Sequence, residues 1–75
     1  MKNLCEIQTG KTVKVENLSA KDLLKERLLA LGLTKGAFVE VMRKGPANNL
    51  TVYKIRGAMI ALRNEEASLI DVSLN

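Results

Sequence analysis

Apolar and polar residues alternate in several short segments of the chain, and this alternation is typical of half-buried β-strands. The segment 12–16 places Val13 and Val15 on one side and polar residues on the other. The segments 37–44 and 50–56 are also strand-like, and residues 45–49 between them are rich in turn formers. These two segments are therefore predicted to form a β-hairpin.

The length of the hairpin loop suggests a register. If the five loop residues leave Lys44 opposite Leu50, then Glu40 lies opposite Lys54, and one face collects Val39, Val41, Tyr53 and Ile55. The other face then carries three apolar side chains, those of Phe38, Met42 and Val52. A surface this apolar needs either cover from the rest of the chain or a partner.

A single helix is predicted between the first strand and the hairpin. Ser19 is the expected N-cap, with Asp22 three residues later, so the helix should begin at Ala20. Gly32 stands where a left-handed residue would end it. The apolar residues at helical spacing, expected to face the core, are Ala20, Leu23, Leu24, Leu28 and Leu31.

After Gly57 the chain has an apolar run at 58–62, a polar stretch at 64–67 and a last predicted strand at 69–72. About five short strands are too few for a sandwich and favour a small barrel that removes its exposed edges. The predicted fold is mainly β, a small SH3-like barrel of about five antiparallel strands with one α-helix after the first strand. Residues 1–75 should form a single domain.

Composition argues against catalysis and against a resident metal or cofactor. A chain of 75 residues with 47% hydrophobic residues supports one small core, with no histidine to act as an acid, base or ligand. Cys5 is the only cysteine and is interpreted as a small apolar strand residue. The neighbouring residues Glu65 and Glu66 supply fewer oxygen ligands than a hard cation needs. The chain is predicted to be neither an enzyme nor a metalloprotein.

Charge and hydropathy leave two kinds of partner open. The net charge of +4 is spread along the chain among acids, as on a solvated surface. Phe38 and Tyr53 are its only aromatic residues, which disfavours base stacking and so nucleic acid, although phosphate contacts remain an alternative. The longest apolar run, 58–62, is too short to span a bilayer. We expect a cytoplasmic protein without a membrane span.

Arg27 falls inside the predicted apolar stripe of the helix. In one interpretation its stem packs on the core while the guanidinium bonds carbonyls or a carboxylate such as that of Glu66. In the other, it is a partly buried charge at the rim of a cleft, where it engages an acidic group of a partner.

Three motifs then point to a family: Arg-Leu-Leu-Ala-Leu-Gly-Leu-Thr-Lys-Gly at 27–36, the pair Val39 and Val41, and Ile-Ala-Leu-Arg-Asn-Glu-Glu-Ala at 60–67. In this order the chain resembles the ferrous-iron transport protein A (FeoA) family over nearly its full length. The resemblance implies an SH3-like barrel and a cytoplasmic regulatory protein of bacterial ferrous-iron uptake. Its partner would be the large membrane permease that carries a cytoplasmic GTP-binding domain.

The central loop departs from the family pattern, which often has two prolines around a Gly-Asp pair, whereas here Pro46 precedes Ala-Asn-Asn. A related SH3-like module ends the iron-dependent repressors, so a stand-alone repressor-like module remains an alternative. A chain of this length without a helix-turn-helix argues against a repressor. The predicted surface for an acidic, apolar face of the permease's cytoplasmic domain comprises Phe38, Met42, Val52, Lys54 and Arg56, with Arg27 as a further candidate.

Overall fold

In the computed structural model, residues 2–46 and 49–74 are described, and they form six β-strands, two α-helices and one 3-10 turn. Ala47 and Asn48, two residues of the predicted hairpin loop, lie outside the described residues. In chain order the elements are β1 (Lys2–Asn3), the 3-10 turn (Leu4–Glu6), β2 (Thr12–Leu18), α1 (Asp22–Ala30), β3 (Phe38–Lys44), β4 (Leu50–Ile55), β5 (Ala58–Arg63), α2 (Asn64–Ala67) and β6 (Ile70–Leu74).

The strands form one antiparallel sheet in the order β1-β6-β2-β3-β4-β5. The predicted register of the central hairpin is confirmed along most of its length, with Glu40 opposite Lys54. One face of the sheet is removed from solvent and packs with α1 and α2 in a single core. Its buried strand residues include Val13, Val15, Val39, Val41, Tyr53, Ile55, Leu62, Ile70 and Val72. The prediction of a mainly β fold is confirmed.

A β-bulge changes the register near the hairpin loop. Val41 still pairs with Tyr53, but the pairing shifts between Val41 and Arg43, so β3 carries one extra residue, Met42. Lys44 therefore lies opposite Thr51, and the prediction that it faces Leu50 is wrong.

Two elements at the ends of the chain differ from the prediction. The N-terminal residues form the extra strand β1, which pairs with β6 and covers its edge. Cys5 lies in the 3-10 turn after it and not in a strand. The polar stretch at 64–67 is the short helix α2, because Glu66 accepts a hydrogen bond from the Arg63 N–H at 3.0 Å and Ala67 is buried.

The start of α1 was predicted wrongly. The helix begins at Asp22 and not at Ala20, and Lys21 occupies the N-cap without a side-chain cap hydrogen bond. Ser19 is not the cap, because its hydroxyl lies 3.4 Å from Oδ2 of Asp71 on β6. Ser19 follows β2 directly, and its N–H also donates to the carbonyl of Leu69 at 2.7 Å, so these contacts hold it beside the start of β6 and the helix begins only after it.

The buried face of α1 is narrower than the periodicity indicates. Leu28 is fully buried, and Leu24 and Leu31 are partly buried against the core. Leu23 is 80% exposed, so its predicted place in the core is wrong. Five residues correspond to a rotation of about 140° relative to Leu28, which directs Leu23 toward solvent.

The end of α1 follows the prediction. Gly32 has φ +103°, its N–H donates to the carbonyl of Leu29 at 3.0 Å, and the N–H of Leu33 donates to the carbonyl of Leu28 at 3.1 Å. These two bonds form a Schellman motif, in which the residue after the glycine packs against the last helical turn. Leu28 and Leu33 are both fully buried, so the motif fixes the helix on the core.

Leu28→Ala should lower the free energy of unfolding by about 2–5 kcal/mol, because a buried leucine leaves a cavity when it is truncated. Leu23→Ala makes the same chemical change on the exposed side of the same helix and should cost no more than about 0.5 kcal/mol. Urea unfolding of both variants measures the difference. Equal losses would contradict the helix orientation described above.

Gly32→Ala should destabilise the protein by about 1 kcal/mol more than Gly10→Ala, because overpacking adds to backbone strain. Both glycines have positive φ, but a Cβ at Gly32 would lie 3.1 Å from Cγ2 of Ile55, whereas one at Gly10 would meet nothing within 4 Å. The measurement is the midpoint of thermal unfolding, and a smaller effect at Gly32 would refute the close approach.

Candidate functional site

The side of β3, β4 and β5 that points away from the core forms a continuous surface. Cross-strand pairing aligns Glu40 with Lys54 and Met59, and aligns Val52 with Ala61. Successive residues of a strand point to opposite faces, so this alignment defines the exposed set. We call it the outer strand face: Phe38, Glu40, Met42, Arg43, Leu50, Val52, Lys54, Met59, Ala61 and Arg63.

This face exposes several large apolar side chains. Phe38 is 52% exposed, Met59 58% and Leu50 42%, while Met42 and Val52 are half-buried beside them. The predicted residues Phe38, Met42 and Val52 are therefore brought onto one surface. Apolar side chains grouped in this way are a feature of protein interaction sites.

The outer strand face is also positively charged. Arg43, Lys54 and Arg63 are exposed on it, and Glu40 is its only acidic residue. Glu40 lies opposite Lys54, as the sequence predicted. Neither of the two ion pairs within 4 Å among the described residues includes any of the three cations. Their charge is thus available to an acidic partner.

Arg56, also predicted for this surface, lies in the two-residue turn between β4 and β5. Its φ of +51° and the φ of +81° at Gly57 define a type I′ turn. Its guanidinium Nη2 donates a hydrogen bond to Oγ1 of Thr34 at 2.9 Å. The side chain is therefore held against the loop after α1, and its charge is directed there.

Arg27 lies on α1, on the core side of the sheet, and its guanidinium forms an ion pair with Glu66 of α2. This contact is the first of the two interpretations that the sequence allowed. The hydrogen bond from Arg27, followed by the one from the Arg63 N–H, lowers the pKa of Glu66 below its ordinary value. The pair ties the two helices together, and it places Arg27 apart from the outer strand face.

Tyr53 is buried in the core, as predicted from the strand register, and burial raises the pKa of its hydroxyl. Because the chain has one tyrosine, one phenylalanine and no tryptophan, Phe38 is its one exposed aromatic side chain. A surface with a single exposed ring offers little for stacking successive bases.

Sequence reasoning missed the contribution of β5 to this surface, namely Met59, Ala61 and Arg63. A signal was present, since a glycine in a two-residue connection between two apolar runs is typical of a hairpin. With that hairpin assigned, the positions opposite Lys54 and Val52 follow directly.

Within residues 2–46 and 49–74, no group of three or more cysteine, aspartate or glutamate side chains is placed to hold a metal ion. None of the helices in the same ranges is long and apolar enough to cross a membrane.

The sheet order, the helix after β2 and the short helix before the last strand define a small SH3-like β-barrel protein. The model of the FeoA domain family matches residues 2–74. The chain belongs to the FeoA family.

Solved structures of this family superpose closely on the chain. FeoA from Chlorobium tepidum gives a TM-score of 0.90 at 29% identity, covering 96% of this chain and 69% of that one. FeoA from Stenotrophomonas maltophilia in complex with zinc gives 0.86 at 28% identity, covering 97% and 91%. The latter is described as a procaryotic SH3 domain protein with a suggested role as a ferrous-iron transport activating factor. These likenesses confirm the SH3-like fold.

A curated relative places a similar domain in a longer chain. The Fe(2+) transport protein A/Fe(2+) transporter FeoB fusion protein of Porphyromonas gingivalis is 27% identical over 71 residues. The match covers 95% of this chain and 8% of the length of that protein. A manganese-dependent transcriptional repressor shares the fold with a TM-score of 0.88 at 19% identity, covering 99% of this chain and 41% of the repressor.

Glu66→Gln should make the free energy of unfolding depend less on pH in the acidic range. Because the folded pKa of Glu66 lies below its ordinary value of 4.5, its stabilising effect is present above that pH. The effect is lost as the pH falls through the folded pKa. The free energy of unfolding of the wild type should therefore exceed that of the variant by about 1 kcal/mol at neutral pH, and the difference should shrink as the pH falls through the folded pKa.

Unfolding by urea at several pH values between about 3 and 7 measures this difference. Glu65→Gln is the matched control, since the Glu65 carboxylate takes part in neither ion pair of the described residues. It should keep the pH dependence of the wild type. A difference between wild type and Glu66→Gln that stays constant with pH would show that the ion pair does not stabilise the fold.

Proposed function

We propose that this protein is a cytoplasmic accessory protein of ferrous-iron transport. It binds the cytoplasmic, GTP-binding part of the iron permease and regulates it, and it does so through the outer strand face. The observation that carries this proposal is the combination on one surface of exposed apolar side chains with Arg43, Lys54 and Arg63. The complementary surface on the permease is acidic and apolar.

Family membership and domain organisation support the partner. The Porphyromonas gingivalis relative joins a transport protein A segment and a FeoB transporter in one polypeptide. Two activities joined in one chain in one organism are often carried by interacting proteins in another. A 75-residue chain with one small core is suited to binding such a partner.

The charge on this face supports protein binding over nucleic-acid binding. Three cations around apolar side chains fit a mixed polar and apolar interface, whereas a nucleic-acid site collects many more cations and several aromatic rings. The two functions differ in their response to salt. Binding to the permease domain should weaken only modestly with salt, while binding through phosphates would fall steeply.

Lys54→Glu should weaken binding to the purified cytoplasmic domain of the permease by about tenfold, because it reverses a charge at the centre of the outer strand face. Lys25→Glu makes the same charge change on α1, on the core side of the sheet, and should leave the affinity within about twofold. Isothermal titration calorimetry measures both affinities, and circular dichroism checks that both variants are folded.

Equal weakening by Lys54→Glu and Lys25→Glu would mean that net charge alone decides binding, and it would overturn the choice of face. Saturable binding to a duplex oligonucleotide, with none to the permease domain at the same salt, would overturn the proposed function itself.

A further inference from the structure

The strand β5 forms an open edge of the sheet. It pairs with β4 on one side over six residue pairs, from Leu50 opposite Arg63 to Ile55 opposite Ala58. On its other side, no strand among residues 2–46 and 49–74 pairs with it. The opposite end of the sheet differs, since the edge there is the two-residue strand β1.

The turn geometry shows which backbone groups face this edge. A two-residue type I′ turn closes on a pair that exchanges both hydrogen bonds, here Ile55 and Ala58. Hydrogen-bonded and non-hydrogen-bonded pairs alternate from there along the two strands. The backbone groups of Ala58, Ile60 and Leu62 are therefore hydrogen-bonded to β4. The N–H and C=O groups of Met59 and Ala61 therefore point outward. The N–H of Arg63, the next in this series, donates to Glu66 at 3.0 Å and not to β4, in agreement with the alternation.

This edge has little of the usual protection against pairing, since its terminal residue Arg63 is the one charged residue of β5. Natural edge strands are blunted by proline, by bulges or by charged side chains that discourage a further strand. The segment 58–62 contains no proline and no charged residue, and its pairing with β4 has no bulge. The backbone groups of Met59 and Ala61 that point to the open edge can thus offer two N–H donors and two C=O acceptors to an incoming strand.

Charge decides which strand fits. Arg63 ends β5, and Lys54 of β4 lies opposite Met59, so the charged side chains on β5 and directly opposite it are cationic. A second copy of this chain, paired antiparallel through β5, would bring Arg63 and Lys54 of both proteins onto one surface, where they repel one another because β5 supplies no acid. An acidic strand avoids this repulsion.

The two faces of an added strand would meet different surroundings. Its residues on the side of Met59 and Ala61 would lie on the outer strand face, next to Arg63 of β5 and one strand away from Lys54 of β4. Those on the opposite side would lie beside Ile60 and the buried Leu62. The complementary sequence therefore alternates acidic and apolar residues.

We infer that the β5 edge binds an extended segment of a partner protein by strand addition, with the backbone of Met59 and Ala61 as the pairing groups and alternating acidic and apolar residues in the segment. Strand addition draws affinity from main-chain hydrogen bonds and specificity from alternate side chains. The inference rests on the proposed function only for the identity of the partner, the cytoplasmic part of the permease. It identifies the structural element through which that partner is held.

A direct test is backbone amide hydrogen exchange of the wild-type protein, followed by NMR, with an alternating Glu-Val peptide of about six residues as the probe. The amides of Met59 and Ala61 should exchange at least about tenfold more slowly when the peptide is bound. The amide of Ile60, already bonded to β4, is the internal control and should change little. A matched Lys-Val peptide should have no effect.

Slowing that does not alternate between Met59, Ile60 and Ala61, or no slowing at all with the Glu-Val peptide, would overturn the inference. This experiment needs no variant, so a failure to fold cannot obscure it.

A second test uses the permease's cytoplasmic domain and the pair Ala61→Pro and Ala61→Thr. Proline removes the outward N–H at a position where an edge strand tolerates it, and threonine keeps that N–H while enlarging the side chain. Ala61→Pro should weaken binding by about tenfold, whereas Ala61→Thr should stay within about threefold.

The results separate the two proposals. If wild type binds the domain and both variants bind equally well, strand addition is wrong while the proposed function stands. If wild type does not bind the domain but the Glu-Val peptide protects Met59 and Ala61, the proposed partner is wrong and the edge site stands.

Discussion

Burial of one face of a single curved sheet is the constraint on which the rest of this structure depends. Side chains of a strand alternate between its two faces. Because Val39, Val41, Tyr53 and Ile55 are buried in the core, the residues next to them in β3 and β4 lie on the opposite face. A chain of 75 residues has too little material to cover that second side. The outer strand face is thus a consequence of forming the core.

The helices hold this sheet in shape from the core side. The Schellman motif places Leu28 and Leu33 together in the core, and the Arg27–Glu66 pair links α1 to α2. The residues of the family motifs at 27–36 and 60–67 therefore have structural roles. Gly32 ends α1, Leu28 packs it on the core, and Arg27 and Glu66 link the two helices. These contacts lie away from the outer strand face, which leaves that face free to serve binding.

The function proposed here uses both kinds of surface that a small sheet leaves open. The outer strand face supplies exposed apolar side chains and cations that lie outside both ion pairs of the described residues, and the edge of β5 supplies backbone donors and acceptors next to them. Side chains alone would give a flat and weakly specified contact. Main-chain pairing would add a fixed direction and register, because hydrogen bonds along an edge can form only where the two strands align.

The sequence alone determined the mainly β class, the inward residues of the central hairpin and the left-handed end of α1, and it offered the contact of Arg27 with Glu66 as one of two interpretations. These features follow from local periodicity, from glycine's access to positive φ, and from the need to satisfy a charge in an apolar stripe. The sequence also grouped Phe38, Met42 and Val52 on one face.

Only the tertiary structure decided the start of α1, the exposure of Leu23, the bulge at Met42 and the open edge of β5. The hydroxyl of Ser19 contacts Asp71 of β6, a contact across more than fifty residues that no local pattern encodes. The bulge and the open edge likewise depend on how strands distant in sequence meet. Local patterns assign a residue to a face, whereas the packing of the whole chain decides what covers that face.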